Sequence, residues 1–205
     1  MSARLGQFAR NEEGATLVEF ALVIGIFLFL FFGIIDFARL GFTSVLAQKA
    51  TEMAVRMAVV SPAMCDGVET VVSRSLITGT LWVDLPNGTR CSARNGLCDA
   101  AETVSCLGAA SQADAARIWV RVAPLMPANA QISNLRFSYS YDENLNRVGA
   151  PYAPVVTVEI DDLTFEFISP LGRLAVLAGA SDAGTLGTNF TFSSMSASLP
   201  AEDLR

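Results

Sequence analysis

The sequence predicts an α+β protein in which a long N-terminal hydrophobic transmembrane helix packs on a small antiparallel sheet domain. Three observations carry this expectation: an uncharged apolar run near the N-terminus, a helical stripe that continues past it, and apolar–polar alternation in the C-terminal half. The chain is apolar for its length, with 52% hydrophobic and only 17% charged residues in 205. Soluble domains carry about 25% charged residues.

The apolar excess is concentrated in one block. Residues 20–35, FALVIGIFLFLFFGII, hold no charge, and thirteen of the sixteen are Leu, Ile, Phe or Val. Extending back to Ala15 gives twenty-one residues interrupted only by Glu19. A hydrocarbon core of ~30 Å takes roughly 20 helical residues, so a span over about residues 15–36 is expected. Insertion is favoured by roughly 4–8 kcal/mol, against at most about 3 kcal/mol for an acid near one end. A soluble core helix would be polar on one face, and this block is apolar all round. A cleaved secretory signal would be shorter and followed by small residues in an A-x-A pattern, whereas this run ends in Asp36-Phe37-Ala38-Arg39. A plain anchor leaves Glu19 without a task, although an acid facing lipid is costly and usually has a partner.

Helical periodicity continues beyond the span. Leu46, Ala50, Met53, Ala54, Met57 and Ala58 form one stripe, while Gln48, Glu52 and Arg56 lie on another face. Glu52 precedes Arg56 by one turn in the favourable orientation. Ser61-Pro62 ends the helix, because the residue before proline avoids helical geometry. The long helix is placed at residues 15–60, with a protruding half at 37–60 whose stripe serves as core contact; from about Leu17 to Val60 it would measure roughly 65 Å. Ala21 and Gly25 make a small-xxx-small pair in the span, and Gly33 and Gly41 continue the same row, which permits close helix approach. Ordinary tolerance of glycine in a membrane helix explains them equally well.

Residues 61–205 read as a mixed α+β domain. Asp66 could cap a short helix over residues 68–78 closed by Gly79. Residues 80–111 look like a loop, and Ala113–Val122 is ambiguous between helix and strand. Leu135, Phe137, Tyr139 and Tyr141 alternate with polar residues as in a half-buried strand. Residues 142–146 are turn-like, residues 155–167 form a second strand region, and Phe190-Thr191-Phe192 begins a third. The apolar stretch 168–180 contains Pro170, Gly172 and Arg173 and is too short and broken to span a membrane.

Cys65, Cys91, Cys98 and Cys106 all follow the span. An even number in a loop-rich region points to two disulfides in an oxidising compartment. Three connectivities are open, of which Cys91–Cys98 with Cys65–Cys106 is favoured. No C-x-x-C pair exists, and no metal or cofactor is expected.

Composition removes several function classes. The absence of histidine excludes Ser-His-Asp and Cys-His nucleophiles and the HExxH zinc site. A net charge of −6 argues against nucleic acid as a partner. Glu159, Asp161, Asp162 and Glu166 could supply the paired carboxylates of a tethered glycosidase, but a solvated strand face accounts for them as well. They match no calcium-loop spacing either. The chain is not expected to be an enzyme.

The junction Gly14-Ala15-Thr16-Leu17-Val18-Glu19 resembles the processing site of type IV prepilins and pseudopilins. More narrowly, residues 10–56 resemble the N-terminal module of TadE-like proteins, minor pseudopilins of the tight-adherence (Flp pilus) apparatus. The carriers are Glu12-Glu13-Gly14-Ala15, Val18-Glu19-Phe20-Ala21, and Gly33-Ile34-Ile35 with Asp36-Phe37-Ala38-Arg39. TadF-like and TadG-like relatives share parts of this module.

The resemblance implies that residues 1–14 are a cytoplasmic leader that a prepilin peptidase removes after Gly14, exposing an amine on Ala15 that is then methylated. Glu19 would meet the amine of a neighbouring subunit and set axial register, since an unpaired charge in apolar surroundings is penalised. It further implies a pilin-like fold and an inner-membrane, single-pass protein with a periplasmic C-terminal domain. The implied partners are membrane lipid, the major Flp pilin, other minor pseudopilins, and the assembly platform with its ATPase. In a bacterial chain the Asn87-Gly88-Thr89 and Asn189-Phe190-Thr191 sequons are chance. The alternative is a membrane-anchored periplasmic protein, TadG-like accessory or tethered enzyme, that stays outside the filament.

Overall fold

The computed structural model describes residues 13–75, 86–167, 190–202 and 204. Its first element, α1, spans Glu13–Ala58. No proline interrupts these 46 residues, and Leu, Phe, Ile and Ala dominate them. The helix then closes by tightening: Val59 N–H donates to Val55 C=O, Ser61 N–H to Ala58 C=O, and the Ser61 hydroxyl to Met57 C=O. Pro62 follows and has no N–H to continue the ladder. The chain forms two compact units; α1 up to Gly41 belongs to one, and Phe42–Phe165 with Phe190–Arg205 to the other.

The second unit is built on a four-stranded antiparallel sheet with strand order β1-β2-β3-β6. These strands are β1 (Val104–Leu107), β2 (Leu135–Ser140), β3 (Val155–Ile160) and β6 (Met195–Pro200). A short helix, α2 (Ala113–Val122), lies between β1 and β2 in sequence. A separate two-stranded pair joins β4 (Thr164–Phe165) to β5 (Phe190–Thr191).

Register aligns the large apolar side chains on one sheet face. Leu135 pairs with Ile160, Phe137 with Val158, and Tyr139 with Val156, and all six are buried. Cys106 lies beside Phe137 on β1, and Ala197 beside Val158 on β6. The end of α1 contributes Ala47, Ala50, Ala54 and Ala58 to the core of the same unit, each fully buried. Alanines at that spacing let a helix come close to a surface of larger side chains. Two hydrogen bonds and a disulfide tie this end of α1 to the sheet: Met64 N–H to Tyr139 Oη at 2.9 Å, Glu202 N–H to Val59 C=O at 3.0 Å, and Cys65–Cys106.

A second cluster packs Val72, Leu97, Val148 and Tyr152 around the Cys91–Cys98 disulfide. Asn146 staples this region from a fully buried position. Its Nδ2 donates to Asp142 C=O at 2.8 Å and Ala153 C=O at 3.0 Å, while its Oδ1 accepts from Ala153 N–H.

Several local expectations are corrected. Residues 68–75 are extended rather than helical, and residues 76–78 with Gly79 lie outside the described residues. Backbone pairing on both sides overrides the Asp66 capping signal. Val72 exchanges hydrogen bonds with Gly149 and Ala150 on one flank, while Ser75 and Ser73 bond to Leu97 and Asp99 on the other. β-Branched Val71 and Val72 suit that geometry.

Within the expected loop 80–111, β1 forms an edge strand and Cys91–Ala93 a 3-10 turn. The ambiguous segment Ala113–Val122 is helix, burying Ala115, Ile118 and Val122 along one stripe. The strand region 155–167 breaks at Asp162, whose φ of 54° turns the chain between β3 and β4. The third strand region is two strands, β5 and β6. The buried stripe of α1 is also rotated from the expected one: Ala47, Thr51 and Val55 are inside, while Met53 is exposed. Glu52 pairs with Lys49 at 2.8 Å rather than with Arg56, and the Lys49 ammonium holds its carboxyl below the usual value. The stretch 168–180 and Asn189 lie outside the described residues.

Candidate membrane-spanning and assembly helix

The N-terminal part of α1 is long and apolar enough to cross a membrane. Every residue from 16 to 32 is exposed, including Leu17, Phe20, Leu22, Ile26 and Phe27 on different sides of the helix. An apolar surface that surrounds a helix has no stable place in water, and lipid or other apolar helices satisfy it. Phe27 and Phe31 stack one turn apart with centroids 5.9 Å from each other.

Gly14 and Ala15 fall in the first turn of α1, and Glu19 stands one turn beyond Ala15, exposed among Leu17, Val18 and Phe20. Residues 1–12 of the expected leader lie outside the described residues. The small-residue row is open. A Cβ added at Gly25, Gly33 or Gly41 would meet no atom of the described residues within 4 Å, and Ala21 on the same row is exposed. The row is therefore available for close approach by another helix.

Where the span ends, the acid-Phe-Ala-Arg element separates by chemistry. Asp36 is buried, with 2% of its surface exposed, and its Oδ1 accepts from Arg39 Nη1 at 3.2 Å. Phe37 points outward. A buried carboxylate loses its hydration, and a guanidinium one turn away on the same face offsets that loss.

The family comparison agrees with this geometry. Residues 14–56 match the TadE-like protein family. The matched stretch begins at the glycine of the junction and ends two residues before α1 does, so the TadE-like segment is nearly coextensive with this helix. It associates the chain with the Tad pilus, and a single apolar N-terminal helix fits a membrane-anchored protein. No curated protein and no solved structure matches the chain.

The other candidate residues sort as follows. The four cysteines form two disulfides, Cys65–Cys106 and Cys91–Cys98, with Cα–Cα distances of 5.5 and 5.4 Å. The acidic set does not converge. Asp161 is paired with Arg136 at 2.9 Å and also accepts the Asp162 N–H, while Glu159 lies on the outer face of β3. Among the described residues no three acids, cysteines or histidines could hold a metal ion.

Sequence reasoning assigned no polar role in the core to two tyrosines, Tyr139 and Tyr152. Tyr139 accepts from Met64, and burial pushes its phenol above the ordinary value even though that hydrogen bond acts the other way. Tyr152 is buried beside Tyr141, their rings stacked at 6.4 Å, and its hydroxyl has no hydrogen-bond partner among the described residues. Period-2 alternation marked Tyr139 as inward, but nothing local distinguishes Tyr152, whose surroundings come from three distant segments.

Proposed function

We propose that the protein is a minor pseudopilin, a structural and non-enzymatic subunit used in assembly of the Flp pilus or the related secretion apparatus. The prepilin peptidase removes residues 1–14 on the cytoplasmic side, and the C-terminal unit folds in the periplasm. The assembly platform and its ATPase then extract the subunit from the inner membrane, and α1 packs among the helices of the major pilin and other minor pseudopilins. Glu19 meets the amine of a neighbouring subunit and fixes its axial position.

One observation carries this reading. The TadE-like match starts at Gly14, on a helix whose residues 16–32 are exposed all round and carry one acid, Glu19, among apolar side chains. A mere tether needs no acid, and an acid in lipid needs a partner. Two disulfides support an oxidising destination for the second unit.

Coexpression with a prepilin peptidase tests the first step. The chain shortens by its first fourteen residues, and a bulky residue in place of Gly14 blocks the cut. Glu19→Ala inserts normally but fails to enter filaments. Filament incorporation at the wild-type level by Glu19→Ala removes the register role.

A further inference from the structure

Two Asn-Gly pairs of the second unit occupy the same local geometry. Asn87-Gly88 sits at the centre of a turn closed by Thr89 N–H donating to Pro86 C=O at 3.3 Å. Asn95-Gly96 sits at the centre of another, closed by Leu97 N–H donating to Arg94 C=O at 3.2 Å. Each glycine takes the third position of its turn with a positive φ, 90° at Gly88 and 73° at Gly96. Both asparagines are exposed. Dipeptide, turn and exposure are therefore matched, and the two pairs differ in what surrounds them.

Gly88 is tied down. Its N–H donates to Val148 C=O at 2.9 Å, Val148 N–H donates to Thr89 C=O at 3.0 Å, and Arg147 Nη1 donates to Gly88 C=O at 3.1 Å. The Asn87 carboxamide is confined as well, since a Cβ added at Gly149 would lie 3.1 Å from its Cγ. Asn95-Gly96 has no such neighbours. Among the described residues the Gly96 N–H meets no acceptor, and the Asn95 side chain has no hydrogen-bond or ionic partner. Residues 93–96 are the exposed tip of the ring closed by Cys91–Cys98, while Leu97 and both cysteines are buried.

That difference bears on one reaction. The backbone nitrogen that follows an asparagine can attack the asparagine Cγ if it gives up its proton and if the carboxamide swings over it. A following glycine obstructs this approach least, because it has no Cβ. A hydrogen bond that holds the N–H must break first, and a packed carboxamide does not turn freely. Both obstacles stand at Asn87 and neither at Asn95.

We propose that Asn95 is a site of spontaneous deamidation and that Val148 and Gly149 protect Asn87 from the same change. Gly96 N forms a bond to Asn95 Cγ, the Cγ–Nδ2 bond breaks, and Nδ2 leaves as ammonia with the Gly96 amide proton. Water then opens the succinimide. Opening at Cγ leaves aspartate, and opening at the backbone carbonyl leaves isoaspartate, which adds a carbon to the backbone of the Cys91–Cys98 ring. Either product places a new negative charge next to Arg94 in a chain already at −6. The reaction needs only water, and it does not depend on processing at Gly14 or on the role of Glu19.

The test holds the full chain, in neutral detergent with both disulfides intact, in warm and mildly alkaline buffer. Peptide mapping by mass spectrometry, with digestion at acidic pH to halt the reaction, follows the two asparagines separately over time. Isoaspartyl methyltransferase with a labelled methyl donor counts the isoaspartate formed. Asn95 should convert about tenfold faster than Asn87, the factor that one backbone hydrogen bond at the upper end of its range supplies. In the reduced chain unfolded in guanidinium chloride the two rates should converge, because the protection of Asn87 is structural. Asn95→Gln should remove most of the isoaspartate from the folded chain, since the longer side chain must close a larger ring; the position is exposed, so the exchange leaves the fold intact. Equal rates in the folded chain, faster loss at Asn87, or a gap that persists after unfolding overturns the proposal. So does a folded Asn95 that keeps its amide, or an isoaspartate yield that Asn95→Gln leaves unchanged.

Discussion

The backbone N–H of Met64 donates to the hydroxyl of Tyr139, seventy-five residues later, at 2.9 Å. This contact joins the chain just beyond α1 to the centre of the sheet, with both groups buried. Tyr139→Phe keeps the ring but leaves the Met64 N–H without an acceptor. The expected loss is about 1–2 kcal/mol of unfolding free energy, measured by urea denaturation of the full chain in detergent.

Tyr152→Phe should behave in the opposite way. Its hydroxyl has no partner to lose, so removing it is neutral or stabilises by up to about 1 kcal/mol in the same measurement. A loss comparable to that of Tyr139→Phe would mean that this hydroxyl is satisfied within the chain.

Alkaline stability follows from the same residues. Burial, ahead of neighbouring Tyr141 and Glu69, raises the Tyr152 phenol above its ordinary value, and burial raises Tyr139 and Tyr141 as well. A folded-state value above the unfolded one gives stability that is complete below about pH 10 and lost as pH rises through the folded value. Denaturation midpoints should therefore fall above about pH 10, and less steeply in Tyr152→Phe.

The two disulfides should differ in worth. Cys65–Cys106 closes a separation of 41 residues and Cys91–Cys98 one of 7. Loop-closure entropy assigns them about 4 and about 2.5 kcal/mol. The Cys65→Ser, Cys106→Ser double variant should lose more stability than the Cys91→Ser, Cys98→Ser one. Thiol labelling of the native wild type should find no free cysteine until reductant is added.

Gly25→Leu tests whether the small-residue row serves other helices. Among the described residues nothing lies within 4 Å of an added Cβ, so the variant should insert and fold like wild type. Crosslinking between subunits in membranes should fall. Unchanged crosslinking would assign Gly25 to ordinary tolerance of glycine in a span.

Much of this molecule was readable in its sequence where one periodicity dominated. The charge-free block at residues 20–35 announced the span, and the alternation through Leu135, Phe137 and Tyr139 announced β2. The reading failed where distant partners decide conformation. Residues 68–75 have a plausible cap in Asp66, yet they are extended because segments near 97–99 and 149–152 offer hydrogen bonds on both flanks. Met53 looked like core by polarity, but the helix buries its alanines instead, because close packing selects small side chains. The open Gly25 row was visible as spacing, whereas the orphaned Tyr152 hydroxyl was not, since no local pattern encodes what a side chain fails to meet.

The intact mass and N-terminal sequence of the native protein, purified from membranes of its own cell, test the account most directly. A chain beginning at Ala15 with a methylated amine is the expected result. A chain still beginning at Met1 in assembled filaments would contradict it, because Glu19 would then have no new amine to meet.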